Sequence, residues 1–102
     1  MNTIHVATGV VTETATGVEG GLDVGVTVTL PDGREVDGEV TLAPSDHASR
    51  PAYEAYGPSP DYWVSGGLLR ALYAALDGDD LRDALEAIES AAAAATTVLV
   101  AA

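Results

Sequence analysis

The sequence predicts an α+β fold: an antiparallel three- to four-stranded sheet in βββααβ order, with two helices packed on one face. Three observations predict it. The first half alternates apolar and polar residues with period two and is rich in Val and Thr, as half-buried strands are. A Pro31-Asp32-Gly33 turn joins two of the alternating runs. The second half changes to leucines and alanines at helical spacing.

The strand meander is expected over residues 3–42. In the first strand Ile4, Val6 and Val10 are assigned to one face, and the strand is taken to about Thr14, before Gly17, Gly20 and Gly21 loosen the chain. The second is the clearest, with Leu22, Val24, Val26, Val28 and Leu30 on one side and Asp23, Gly25, Thr27 and Thr29 on the other. The third, about Arg34 to Leu42, sets Val36, Val40 and Leu42 against Glu35, Asp37, Glu39 and Thr41. Such alternation gives a sheet with one buried and one wet face.

Residues 43–59 lose all periodicity and hold Pro44, Pro51 and Pro58, so they read as a proline-rich loop. Tyr53 and Tyr56 within it are expected to anchor the loop to the core, with an interface anchor as the other use of an exposed aromatic. The helical part is expected over 60–95. Ser59-Pro60-Asp61 has the chemistry of a helix start, with Ser at the N-cap and Pro at the first helical position. Leu69, Leu72, Tyr73 and Leu76 then recur at helical spacing, and Gly66-Gly67 either allows a close backbone approach or breaks the segment. Gly78 is expected to end this helix, with Asp79 or Asp80 capping the next. There Leu81, Leu85, Ile88 and Ala92 form the apolar stripe, and Arg82, Asp83, Glu86 and Glu89 face out. Residues 96–100, Thr96-Thr97-Val98-Leu99-Val100, predict a last strand, with continuation of the Ala-rich helix as the alternative.

At 102 residues the chain is of a size at which one core stands alone, so a single domain over 1–102 is expected. A hydrophobic fraction of 47% separates it from acidic disordered tails. The absence of cysteine excludes disulfides, thiolate zinc sites and a cysteine nucleophile. No signal-peptide pattern or apolar run of membrane-spanning length is present, which places the chain in the cytoplasm and away from membranes.

The net charge is −12, from 16 acids against four bases, Arg34, Arg50, Arg70 and Arg82. Direct binding to nucleic acid needs clustered Lys or Arg and is disfavoured. A basic protein surface is the natural complement.

Catalytic chemistry finds little support. Ser45-Asp46-His47 with Ser49 holds the residue types of acyl transfer, yet neighbours in a loop point apart and no nucleophile elbow is present. His5 and His47 show no metal-ligand spacing, and Asp77, Asp79 and Asp80 lack the spaced oxygens of a calcium loop. No catalytic residue, metal or cofactor is therefore assigned.

One constellation survives. Paired as above, Glu13, Asp23, Glu35, Asp37 and Glu39 gather on the wet face or its edge among Thr12, Thr14, Thr27, Thr29 and Thr41. A second acidic group follows at Asp77, Asp79, Asp80, Asp83, Glu86 and Glu89. The partner-binding residues expected are Asp23, Glu35, Asp37, Glu39, Asp79, Asp80, Asp83 and Glu86, with Tyr53 and Tyr56 as aromatic anchors. Trp63, beside Val64, is assigned to the core.

The expected function is that of a small inhibitor presenting carboxylates to a basic nucleic-acid-binding surface, such as that of a nucleic-acid-handling complex. In size and charge the chain is similar to phage-encoded anti-defence proteins, anti-CRISPR proteins and DNA mimics among them; no motif carries the resemblance and no residue transfers. The alternative is an acidic accessory domain of a halophilic or GC-rich organism acting as an oligomer, a homodimer included, and the third is a small hydrolase using His47.

Overall fold

The computed structural model describes residues 4–13, 20–44 and 53–101. Four strands, β1 (His5–Glu13), β2 (Leu22–Thr29), β3 (Glu35–Pro44) and β4 (Tyr53–Ala55), form one antiparallel sheet in the order β1-β2-β3-β4. Three helices follow: α1 (Pro60–Trp63), α2 (Gly66–Ala75) and α3 (Gly78–Ala101). They pack on one face of the sheet, with α3 against β1, β2, β3 and β4 and the shorter α1 and α2 against β3.

The β2–β3 hairpin forms on the turn its sequence encodes. The Gly33 N–H donates to the Leu30 carbonyl at 2.9 Å and the Leu30 N–H to the Arg34 carbonyl at 2.8 Å. Gly33 sits at φ +93°, in the left-handed region where only glycine is unstrained. Along β2 the alternation is complete, from a buried Leu22 to a buried Val28.

In β1 the period-two reading fails halfway. Thr8 pairs with Val26 and Val11 with Val24, so Gly9 and Val10 together oppose Gly25. This extra residue is a β-bulge, and it moves the inward phase from Ile4 and Val6 to Val11. Val10, assigned to the core from sequence, is therefore 73% exposed. Glu13 falls opposite Leu22, on the inward phase at the open edge, and does not share the wet face.

Residues 43–59 are only partly loop. β3 runs through Pro44, and β4 adds a fourth strand at its edge, with Leu42 opposite Ala55 and Pro44 opposite Tyr53. Three residues are too few for an alternation to be visible. Tyr53 packs against the core as an anchor.

The segment from Pro60 breaks at Val64-Ser65, where Val64 bridges to Val40 in extended conformation. Gly66 and Gly67 then open α2; nothing approaches either Cα within 4 Å of a built Cβ, so close approach is not their role. The close approach is at Gly38, whose added Cβ would lie 2.6 Å from Leu68 Cβ and 2.8 Å from Ser65 Oγ. Gly78, at φ +52°, begins α3 rather than ending α2, and Asp79 and Asp80 occupy the first helical turn, where the helix dipole favours negative charge.

The last strand expected at 96–100 does not form, because α3 continues to Ala101. Its buried stripe is Ala84, Ile88, Ala92 and Thr96, each four residues apart, with Leu81 and Leu85 only half-buried beside it. Thr96 is accommodated in this buried stripe because its hydroxyl is satisfied within the helix, donating to the Ala93 carbonyl at 2.7 Å. Tertiary packing overrides β propensity here. The core joins this stripe to Val24, Val28, Val40 and Leu42 of the sheet and Leu68 and Leu72 of α2. Each of the valine, leucine and isoleucine side chains among them contributes about 1.5–3 kcal/mol by leaving water.

Candidate functional site

The face of the sheet opposite the helices is built by the outward residues of β2 and β3. Their register sets Thr29 beside Glu35, Thr27 beside Asp37, Gly25 beside Glu39 and Thr41 beside Asp23. Every carboxylate thus faces a threonine or a glycine across the pair, and none directly faces another. Like charges placed opposite one another would destabilise a sheet, and this register avoids that. Along β3 the acids recur every second residue, about 7 Å apart.

Two of the carboxylates are held in place. The Thr27 hydroxyl donates to Asp37 Oδ1 at 2.8 Å, and the Thr41 hydroxyl donates to Asp23 Oδ1 at 2.8 Å. Threonine is stiff about χ1, so these bonds fix where the negative charge sits. Glu35, Asp37 and Glu39 are exposed and Asp23 is half-buried. The ion pairs Arg34–Asp32, at 3.0 Å, and Arg82–Asp79, at 3.2 Å, do not touch these four acids. Arg34 does act on the turn: its N–H and guanidinium both bind the Asp32 carboxylate and hold it below the usual aspartate range.

At the β3 edge the acidic face meets an aromatic rim. The Ser65 N–H donates to the Glu39 carbonyl at 2.9 Å, and the Glu39 N–H donates to Ser65 Oγ at 3.1 Å. These bonds fasten the α1–α2 connection to β3 and bring Tyr62 beside Asp23, Glu39 and Thr41 in a notch of about 260 Å³. Tyr62 is 56% exposed and meets Tyr56 edge to face, with ring centres 6.2 Å apart and planes at 74°. Gly57 allows this, since it sits at φ +84° with Tyr62 against its Cα. Carboxylates beside an exposed ring suit a guanidinium, which pairs with the acids and stacks on the aromatic.

The structure divides the residues singled out from sequence. Asp23, Glu35, Asp37 and Glu39 share the sheet face, and Tyr56 stands at its rim through Tyr62. Tyr53 faces the core and Trp63 is buried. Asp79, Asp80, Asp83 and Glu86 lie on α3, in the helical layer on the other side of the sheet, and do not join the first group. Glu89, expected to face out, instead accepts the Ala55 N–H of β4 at 2.8 Å. Ser45, Asp46, His47 and Ser49 lie outside the described residues.

Sequence reasoning missed Glu54 and Tyr62. Glu54 pairs with Ala43 and extends the acidic face onto β4, a strand too short to announce itself. Tyr62 resembles one more helix residue until the break at Val64-Ser65 places it at the sheet edge; Ser65 before Gly66-Gly67 was the available signal.

No protein-family model, curated protein or solved structure matches the chain. Among the described residues no helix is long and apolar enough to cross a membrane.

Proposed function

We propose that this protein is an inhibitor that docks its β2–β3 face onto a basic, nucleic-acid-binding protein surface, setting carboxylates where phosphates would lie. The observation that carries the reading is the ordered set of Asp23, Glu35, Asp37 and Glu39, without an ion pair among the described residues, two of them fixed by threonine hydroxyls. Fixed charges lose less freedom on binding than mobile ones, and a field of one sign steers a basic partner to encounter. The Tyr56–Tyr62 rim supplies the aromatic anchor that such interfaces use. A phage anti-defence role in the host cytoplasm, of the anti-CRISPR or DNA-mimic type, fits this chemistry.

The test is competition. Basic nucleic-acid enzymes, a Cas effector among them, are titrated with the protein while their DNA binding is followed. Displacement of DNA by wild type and its loss in the Glu35→Lys/Asp37→Lys/Glu39→Lys chain supports the reading; displacement by both chains contradicts it.

A second reading has its own observation. Asp79, Asp83 and Glu86 are exposed in the helical layer, so acidity is not confined to one face. An acidic domain adapted to a high-salt cytoplasm would carry charge in this way, and it would unfold at low salt and recover in molar salt. The inhibitor instead stays folded at low salt and binds most tightly there.

A further inference from the structure

We infer that the groove between α1, α2 and the first half of α3 is a second docking site, for a cationic amphipathic segment of a partner protein. The groove has a volume of about 360 Å³ and an apolar floor and wall of Trp63, Tyr73, Leu81 and Leu85. Tyr73 is the telling residue. It occupies a helical position that the sequence groups with Leu69, Leu72 and Leu76, yet it is 50% exposed while those leucines are buried. Leu81 and Leu85 are likewise left half-covered. A concave apolar surface of this size accepts one or two side chains of a partner.

Charge selects the occupant. The polar residues at the groove are Arg82, Glu86 and Glu89. Arg82 is engaged by Asp79 at 3.2 Å, and Glu89 by the Ala55 N–H. Asp83 is exposed on the same helix. Six acids and one base stand between Asp77 and Glu89, so an apolar side chain entering the groove does so through a negative field. A second copy of this chain, at net charge −12, is repelled there. A segment that alternates apolar residues with Lys or Arg is attracted, seating the former on Tyr73 and Leu85 and placing the latter near Glu86 and Asp83.

The probe is a fluorescein-labelled Leu/Lys peptide with helical amphipathic spacing, followed by anisotropy against the intact protein. Saturable binding is expected to weaken about tenfold or more in Tyr73→Ala, as for an interface anchor. It is expected to weaken similarly in Glu86→Lys. Because Tyr73 lies outside the core, the variant's thermal unfolding should match wild type, which separates lost binding from lost fold. The Glu35→Gln/Asp37→Asn/Glu39→Gln chain should change this affinity by less than about threefold, since distant charges are screened. That control separates the groove from the sheet-face reading, which can fail without affecting it. Equal binding of a scrambled peptide with the same composition, or unchanged binding by Tyr73→Ala, overturns the inference. Self-association abolished by Tyr73→Ala would overturn the choice of occupant.

Discussion

The Thr27 hydroxyl donates to the Asp37 carboxylate at 2.8 Å across the β2–β3 pair, and Thr41 repeats the relation with Asp23 two pairs along the same face. The direction reverses between them: in the first the threonine is on β2, in the second on β3. Carboxylate and hydroxyl thus exchange strands between the two pairs, while Glu35, Asp37 and Glu39 follow one another along the same face of β3. This pattern lets one small sheet carry a dense negative face without placing two carboxylates opposite one another.

Replacing Thr27 by Val keeps the branched side chain that suits a strand and removes only the donor. Because the bond is exposed, the expected loss of stability is small, about 0.5–1 kcal/mol in a urea titration. The larger effect should be on binding, where Asp37 loses its fixed position.

Gly38 is fixed by Leu68. Gly38→Ala introduces a Cβ at 2.6 Å from Leu68 Cβ, and overpacking of this kind costs about 1–3 kcal/mol. Leu68→Ala keeps the Cβ and relieves only the contact with Leu68 Cδ2 at 2.8 Å, so its cost should be somewhat smaller in the Gly38→Ala background than in wild type. Additive costs in a double-mutant cycle would show that the two residues do not oppose each other.

Glu89 links α3 to β4 through the Ala55 N–H. Glu89→Ala leaves that donor unpaired in a partly buried place, with an expected cost of about 1–2 kcal/mol. Glu89→Gln retains an acceptor and should cost less than half as much. Hydrogen exchange at Ala55 should rise in the alanine variant and change little in the glutamine one.

At the hairpin turn, the Asp32 carboxyl is held below its ordinary value of 3.8, chiefly by the Arg34 backbone N–H and secondarily by the guanidinium. A depressed carboxyl stabilises the fold above its unfolded pKa and loses that contribution as pH falls through the folded value. The site is exposed, so salt screens the effect. Following the Asp32 carboxyl by NMR, titration below 3.8 is expected. Arg34→Gln should move it only part of the way back, because the main-chain donor remains.

The α+β class, the β2–β3 hairpin and the acidic face were legible because each rests on local rules. Alternation fixes which side of β2 is buried, and Pro31-Asp32-Gly33 fixes the register of its partner. What escaped depends on contacts remote in sequence. Val10 turns outward because of a bulge opposite Gly25, and Thr96 joins a helix because Ala84, Ile88 and Ala92 already point at the sheet. The aromatic rim was hidden for the same reason: Tyr62 reaches the acidic face only once Ser65 bonds to Glu39.

In the function proposed, the charge on the β2–β3 face is there to be bound. This is tested most directly by measuring the dissociation constant for a basic nucleic-acid enzyme whose DNA the protein displaces, between about 50 and 200 mM salt. Wild type should weaken steeply with salt, and the Glu35→Lys/Asp37→Lys/Glu39→Lys chain should bind at least about 100-fold more weakly at the lowest salt, as when several charged contacts are lost together. Equal affinity of the two chains, or an affinity that does not respond to salt, would contradict it.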